Sequence, residues 1–375
     1  MKIYLVGGAV RDRLLGLTVR ERDWVVVGAT EHEMLAAGFR RADADFPVFI
    51  HPDSGEEYAL ARIERKTGPG YKGFAVEAGP DITLEQDLAR RDLTINALAQ
   101  DESGRLIDFF HGREDLEARV LRHVTPAFEE DPVRVLRVAR FAARLGPLGF
   151  EVAPETLALM RRMAGSGDLK ALRPERVWRE MRRALAEPHP WRFFQVLHDC
   201  AALAVLIPPL EAALEKAAPD PLAALRNAAG LTHDLAVRFT AVMYAAAEDA
   251  NADGFCAGLR AQRDCCDMLE LVLRWGPAFA GADRAGAAAL LELLQQTRAF
   301  QQRERFRRFM LACAALWPGP AEVATKRLGQ ALEAAESIGA KALLAEGFGG
   351  PALGEELARR RIRAIRRSIG AAPAP

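Results

Sequence analysis

The feature that most constrains this chain is a change of pattern about one third of the way along it. Before that point short apolar runs alternate with glycine-marked turns; beyond it Ala, Leu, Arg and Glu recur at helical spacing. Such a chain folds as an α+β head, a mixed sheet with helices, followed by an all-α remainder. At 375 residues it has room for two or three domains, taking about 100 to 200 residues for each. Candidate strands are Ile3–Val6, Asp23–Val27, Val48–His51, Glu57–Arg62 and Arg105–Asp108. The segment Lys66–Pro80, with TGPGYKGF inside it, lacks apolar periodicity and is expected to be an exposed, mobile loop. From Asp131 onward, helices are expected between breaks at Gly146-Pro147, Pro154, Gly165–Gly167, Pro174, Pro188–Pro190 and Pro208-Pro209.

Charge narrows the function. Lys plus Arg and Asp plus Glu both total 51, so no net field draws the chain to nucleic acid or membrane. A polyanion site must be local, and Arg119–Arg183 offers an address: thirteen Arg and one Lys against eight acids. No run of eighteen apolar residues exists, which argues against a membrane span. The five cysteines form no CxxC pair and read as reduced thiols, so the expected compartment is the cytoplasm.

Four motifs carry chemistry. In LVGGAVRD a strand turns at Gly7-Gly8 directly into a helix; glycines let a triphosphate approach backbone N–H groups, and Arg11 can fork onto a phosphate. Glu21 and Asp23 open an apolar strand two residues apart, and two such carboxylates can hold a pair of Mg²⁺ ions. In RRDLTINA, Asp92 or Thr94 could cap a helix, while Arg91 is expected to reach a nucleotide. In EDPVRVLRVARFAAR, Asp131 caps a helix with Pro132 at its first position. Arg134, Arg137, Arg140 and Arg144 then share one face with no acid between them, an arrangement that calls for an anion.

In this order the motifs resemble the bacterial class II tRNA nucleotidyltransferases, the CCA-adding enzymes of the polymerase β-like superfamily. The likeness runs from Met1 to about Pro208 through DFPVFIHP, EEYALARIERK, RRDLTINALAQD, LIDFFHGREDLEARVLRH and LRPERVW, and returns in GAKALLAEGFGG and EELARRRI. It implies a catalytic head over 1–125, a helical neck over 126–208 and a helical body and tail over 209–375 that grips tRNA. It implies nucleotide contacts at Gly8, Arg11, Arg91, Arg137 and Arg140 and metal carboxylates at Glu21 and Asp23. Relatives usually show Asp-x-Asp, so Glu21 is a departure, though glutamate remains a hard-oxygen ligand. The resemblance also implies base selection by protein side chains. Asp131 would accept from the exocyclic amine of cytosine or adenine while Arg134 donates to the ring nitrogen, admitting CTP and ATP but not UTP and GTP. The stretch Glu64 to Phe74 stands where relatives keep a flexible element needed for the switch from C to A.

The resemblance further predicts what is missing. Related chains often carry an HD phosphohydrolase domain, but its ligand positions here hold Tyr244 and Ala245, and His198-Asp199 and His233-Asp234 read as decoys. The expected activity is therefore Mg²⁺-dependent addition of CCA to the tRNA 3′ end without phosphohydrolase activity. The rivals are a bacterial poly(A) polymerase, which usually bears a long basic C-terminal extension, and a noncatalytic RNA-binding protein of the same fold. A Rossmann dinucleotide binder fails because no GxGxxG follows the first strand. The sequence leaves the oligomeric state open.

Overall fold

The computed structural model describes every residue except 43–45, 67–73, 216–219, 248–251 and 371–375. The chain divides into two compact units, Met1–Ile207 and Pro208–Pro375.

The first unit begins with β1 (Lys2–Val6), α1 (Gly8–Leu14), β2 (Asp23–Val27), α2 (Glu31–Ala36), β3 (Arg40–Arg41), β4 (Val48–Ile50) and β5 (Glu57–Leu60). It continues through β6 (Arg62–Lys66), β7 (Phe74–Ala78), α3 (Leu84–Ala89), β8 (Leu98–Gln100), β9 (Leu106–Asp108) and α4 (Gly112–Ala118). Among the described residues a seven-stranded sheet runs β3-β4-β5-β2-β1-β8-β9, parallel only between β2 and β5. Strand alternation sends neighbouring residues to opposite faces. Val25 packs with Val6, Ile82, Leu88 and Ala99 on one face, Val26 with Met34, Phe39, Phe49 and Tyr58 on the other. Two helices start on capping boxes that are legible as T-x-x-E and T-x-x-Q: Thr30 with Glu33, and Thr83 with Gln86.

Two sequence expectations are corrected here. The strand expected over Glu57–Arg62 breaks at Ala61, and β6 leaves the main sheet to pair with β7 as an antiparallel hairpin, Lys66 opposite Phe74. Most of the far half of the expected loop is therefore strand; FAVEA alternates as a strand should, and the glycines before it hide that signal. The rest of that loop, 67–73, which includes most of the expected C-to-A element, lies outside the described residues.

The unit closes with β10 (Val120–Leu121), α5 (Val133–Leu145), β11 (Glu151–Val152), α6 (Pro154–Ser166), α7 (Pro174–Ala186), α8 (Trp191–Asp199) and α9 (Ala202–Leu206). Helix α5 is buried along most of its length and packs on α7 and α8. Asp131 Oδ1 accepts from the Val133 N–H and Pro132 takes the capping position, one residue off the expected start.

The second unit is helical among its described residues: α10 (Pro208–Leu214), α11 (Pro221–Leu231), α12 (Leu235–Ala247), α13 (Ala252–Leu259), α14 (Arg263–Ala280), α15 (Ala287–Gln296), α16 (Arg303–Leu316), α17 (Pro318–Glu336), α18 (Ala340–Ala345) and α19 (Gly350–Gly370). Helix α12 is mostly apolar and buried on every side, Arg238 included, and sits at the unit's centre against α11, α14 and α16. No helix is long and apolar enough to cross a membrane among the described residues.

Candidate active site

The Gly7-Gly8 turn is where the head converges. Gly7 adopts φ 71° as β1 ends, its N–H donates to the Leu98 carbonyl at 3.0 Å, and α1 begins at Gly8. A Cβ on Gly7 would stand 2.7 Å from a terminal nitrogen of Arg91, and one on Gly8 would stand 3.5 Å from a terminal nitrogen of Arg11. Two guanidinium groups thus flank a turn that side chains leave open. Arg91 Nε is buried without a hydrogen-bond partner among the described residues, an unmet donor beside that turn.

Asp23 opens β2, with Val6 and Glu57 as its cross-strand neighbours. Glu21 precedes the strand, so the shared-face argument made from the sequence does not reach it. Partial desolvation raises the Asp23 carboxyl above its ordinary value, while Arg91 pulls it down and Glu21 pushes it up. Neither carboxylate accepts a hydrogen bond from, or forms an ion pair with, a described residue. Carboxylates without a hydrogen-bonded cation are hard-oxygen donors of the kind a divalent metal takes.

Behind the turn lies a buried polar chain. Arg11, 2% exposed, donates Nε and a terminal nitrogen to Asp12 Oδ1 at 2.8 and 2.7 Å, and its other terminal nitrogen to Asn96 Oδ1. The Asn96 amide donates to Asp92 Oδ1 at 2.9 Å. Burial pushes the Asp92 carboxyl up, but Arg137, the Asn96 amide and the Leu93 N–H outweigh it and hold it far below the usual range. The helix that Asp92 or Thr94 could have capped at RRDLTINA is only a 3₁₀ turn, Thr94–Asn96, without a side-chain cap. Its polar residues serve this network instead. Nearby, Asp87 is fully buried and accepts from Arg90 at 2.7 Å and Arg91 at 3.4 Å.

The arginine stripe on α5 needs correction. The sequence shows no acid among Arg134, Arg137, Arg140 and Arg144, yet acids arrive from elsewhere in the unit. Arg137 Nε donates to Asp92 at 2.7 Å, Arg140 Nε to Glu180 of α7 at 2.7 Å, and Arg144 to Asp12 of α1 at 2.7 Å. Arg134 is buried and donates to the Ala127 carbonyl at 2.7 Å. Asp131 is engaged by Arg176 of α7 at 3.0 Å. The guanidinium groups of Arg11 and Arg140 also lie over the Phe141 ring, 5.1 and 4.7 Å from its centroid. Arg137 and Arg140 nonetheless spend only Nε, and their terminal nitrogens have no partner among the described residues.

Comparison with known proteins decides the family. Residues 3–122 match the poly A polymerase head domain, and residues 149–214 match the probable RNA and SrmB-binding site of polymerase A. A Multifunctional CCA protein of Thioalkalivibrio sulfidiphilus is 49% identical over 98% of both chains. A CCA-adding enzyme of Pseudomonas putida is 49% identical over 97% of this chain and 98% of its own. The chain belongs to the CCA-adding enzymes. The Bacillus stearothermophilus CCA-adding enzyme, solved with CTP, shares the fold at a TM-score of 0.70 and 24% identity, over 97% of this chain and 88% of that one.

As a CCA-adding enzyme the chain is a nucleotidyltransferase, and its candidate site draws on residues that motif reading left without a role. Asp12, Asn96, Asp92 and Arg176 are polar residues inside the recognised motifs, so the strings contained them, while Glu180 lies two residues beyond LRPERVW. Beside the local pairs Asp12 with Arg11 and Asn96 with Asp92, their partners are 40 to 132 residues away in sequence, and only folding pairs them. Of the two His-Asp dipeptides, the one in the body has its Asp234 carboxylate paired with Arg308 at 2.9 Å, and the one at the end of α8 accepts from Arg161 at the Asp199 backbone carbonyl. Tyr244 lies buried, edge-on to Trp317. Among the described residues no cluster of three or more His, Cys, Asp or Glu could hold a metal ion.

Proposed function

We propose that this chain builds and repairs the 3′-terminal CCA of tRNA from CTP and ATP with Mg²⁺, in the cytoplasm, through the residues named above. The tRNA 3′ oxygen forms a bond to the nucleotide α-phosphorus, the bond to the β-phosphate bridge breaks, and pyrophosphate leaves, twice with CTP and once with ATP. Gly8, Arg11 and Arg91 receive the triphosphate at the Gly7-Gly8 turn; Arg137 and Arg140, anchored at Nε, offer their terminal nitrogens to it. Glu21 and Asp23 would hold Mg²⁺, which when bound supplies charge neutralisation and activation of the attacking hydroxyl. Catalysis by the protein is then positioning and electrostatics, with no covalent intermediate. Asp131 and Arg134 take the base.

The observation that carries this reading is the convergence of Arg11 and Arg91 on one open glycine turn, with Asp23 in the field of Arg91. Its test is extension of three tRNA transcripts, ending before the tail, after C and after CC, with each of the four nucleotides and Mg²⁺. Growth to CCA followed by arrest is the expected result. Arrest at CC or long A tails would sink it, and binding without extension would mean a fold that has lost its chemistry.

A further inference from the structure

We propose that Arg176 is a positioning residue for base selection: it holds the Asp131 carboxylate so that one acceptor direction remains for an exocyclic amine. The inference rests on the reading of Asp131 and Arg134 as the base-contacting pair. Asp131 lies in extended backbone between the 3₁₀ turn Pro126–Glu130 and α5, where a short side chain is otherwise free to rotate. Its Oδ1 accepts from the Val133 N–H at 3.1 Å, and one nitrogen of Arg176 reaches Oδ1 at 3.2 Å and Oδ2 at 3.0 Å. A carboxylate has about four acceptor sites. Described residues take three of them here, and the one they leave belongs to Oδ2.

That remaining site is acceptor-only. The amine of cytosine or adenine satisfies it, whereas the carbonyl oxygen of uracil or guanine meets it as a repulsion, so holding the carboxylate still converts a preference into a rejection. The partner reader is held too: Arg134 donates to the Ala127 carbonyl at 2.7 Å. Arg176 stands on a firm support, because Glu180, one turn further along α7, pairs with Arg140 of α5. The same helix thus steadies α5 and places the guanidinium on Asp131. Without Arg176 the carboxylate keeps only its tie to Val133 and can turn away from a wrong base.

The test is single-turnover extension of full-length protein on tRNA transcripts without the tail and ending in CC, with each of the four nucleotides. Arg176→Met is expected to lower the ratio of kcat/KM for C or A over U or G by about tenfold or more, and Arg176→Lys to keep most of the ratio. If rates fall equally for all four nucleotides and the ratio stands, Arg176 merely holds α7 to α5 and the inference is overturned. Should Arg176→Met fail to fold, Arg176→Gln decides by the same ratio. Asp131→Ala separates the two ideas: strict use of C and A by that variant would overturn the base-selection reading itself.

Discussion

At the scale of single residues, charge and conformational freedom act through contacts only a few ångströms wide. Gly7 is needed twice, for φ 71° and for the guanidinium of Arg91 that occupies the space of a side chain. Gly7→Ala pays backbone strain of about 1–2 kcal/mol, and its Cβ must displace Arg91. We expect a folded protein whose KM for CTP and ATP rises about tenfold or more, the worth of one charge-assisted contact; steady-state kinetics beside a melting curve checks it. Glu21→Gln keeps the shape of the side chain and removes its charge. Turnover should fall about 100-fold or more, as expected when a metal carboxylate is lost; unchanged turnover would take Glu21 out of the metal site. The motifs made Gly8, Arg11, Glu21, Asp23 and Arg91 visible as candidates. They did not show that Arg91 lies on Gly7, because that contact joins segments far apart in the chain.

At the scale of elements, α5 and the RRD segment are joined by Asp92. Its carboxyl titrates far below the ordinary range, so its ionised form is favoured by the fold. The sign follows: this stabilisation is complete above the ordinary carboxylate pKa, about 4, and is lost as pH falls through the depressed native value. Asp92→Asn should therefore cost about 3 kcal/mol at neutral pH, the low end for a broken buried pair because Arg137 is partly open to water. The gap from the parent should hold down to about pH 4 and close below it, which denaturant titrations at several pH values would show; a pH-independent gap would deny the ion pair its role. Helix α4 shows a different constraint. A Cβ on Gly112 would lie 2.3 Å from the Thr94 carbonyl oxygen. Backbone cannot yield as a side chain can, so Gly112→Ala is expected to destabilise by about 1–3 kcal/mol, read as a lowered melting temperature. The α5 start was legible to within one residue because capping is local. Strand β7 was not, because glycines precede its alternation, nor was the break at Ala61, which no glycine or proline marks.

At the scale of the whole molecule, the first unit, Met1–Ile207, contains the core clusters of the sheet, the glycine turn, the carboxylates and the arginine stripe. A fragment ending at Ile207 should fold cooperatively and bind CTP, measurable by calorimetry, while extending tRNA far more slowly than the full chain if the second unit grips the tRNA. A fragment that neither melts cooperatively nor binds CTP would show that the unit depends on the rest of the chain. Pattern along the sequence decided the α+β head, the helical remainder, the order of motifs and their chemical class, because period, capping and turn chemistry act over a few residues. The tertiary structure alone decided how the α5 arginines are neutralised. Arg137, Arg140 and Arg144 look like uncompensated charge in sequence, yet Asp92, Glu180 and Asp12 meet them from 45, 40 and 132 residues away. Electrostatic pairing depends on distance in space, and distance along the chain carries no record of it.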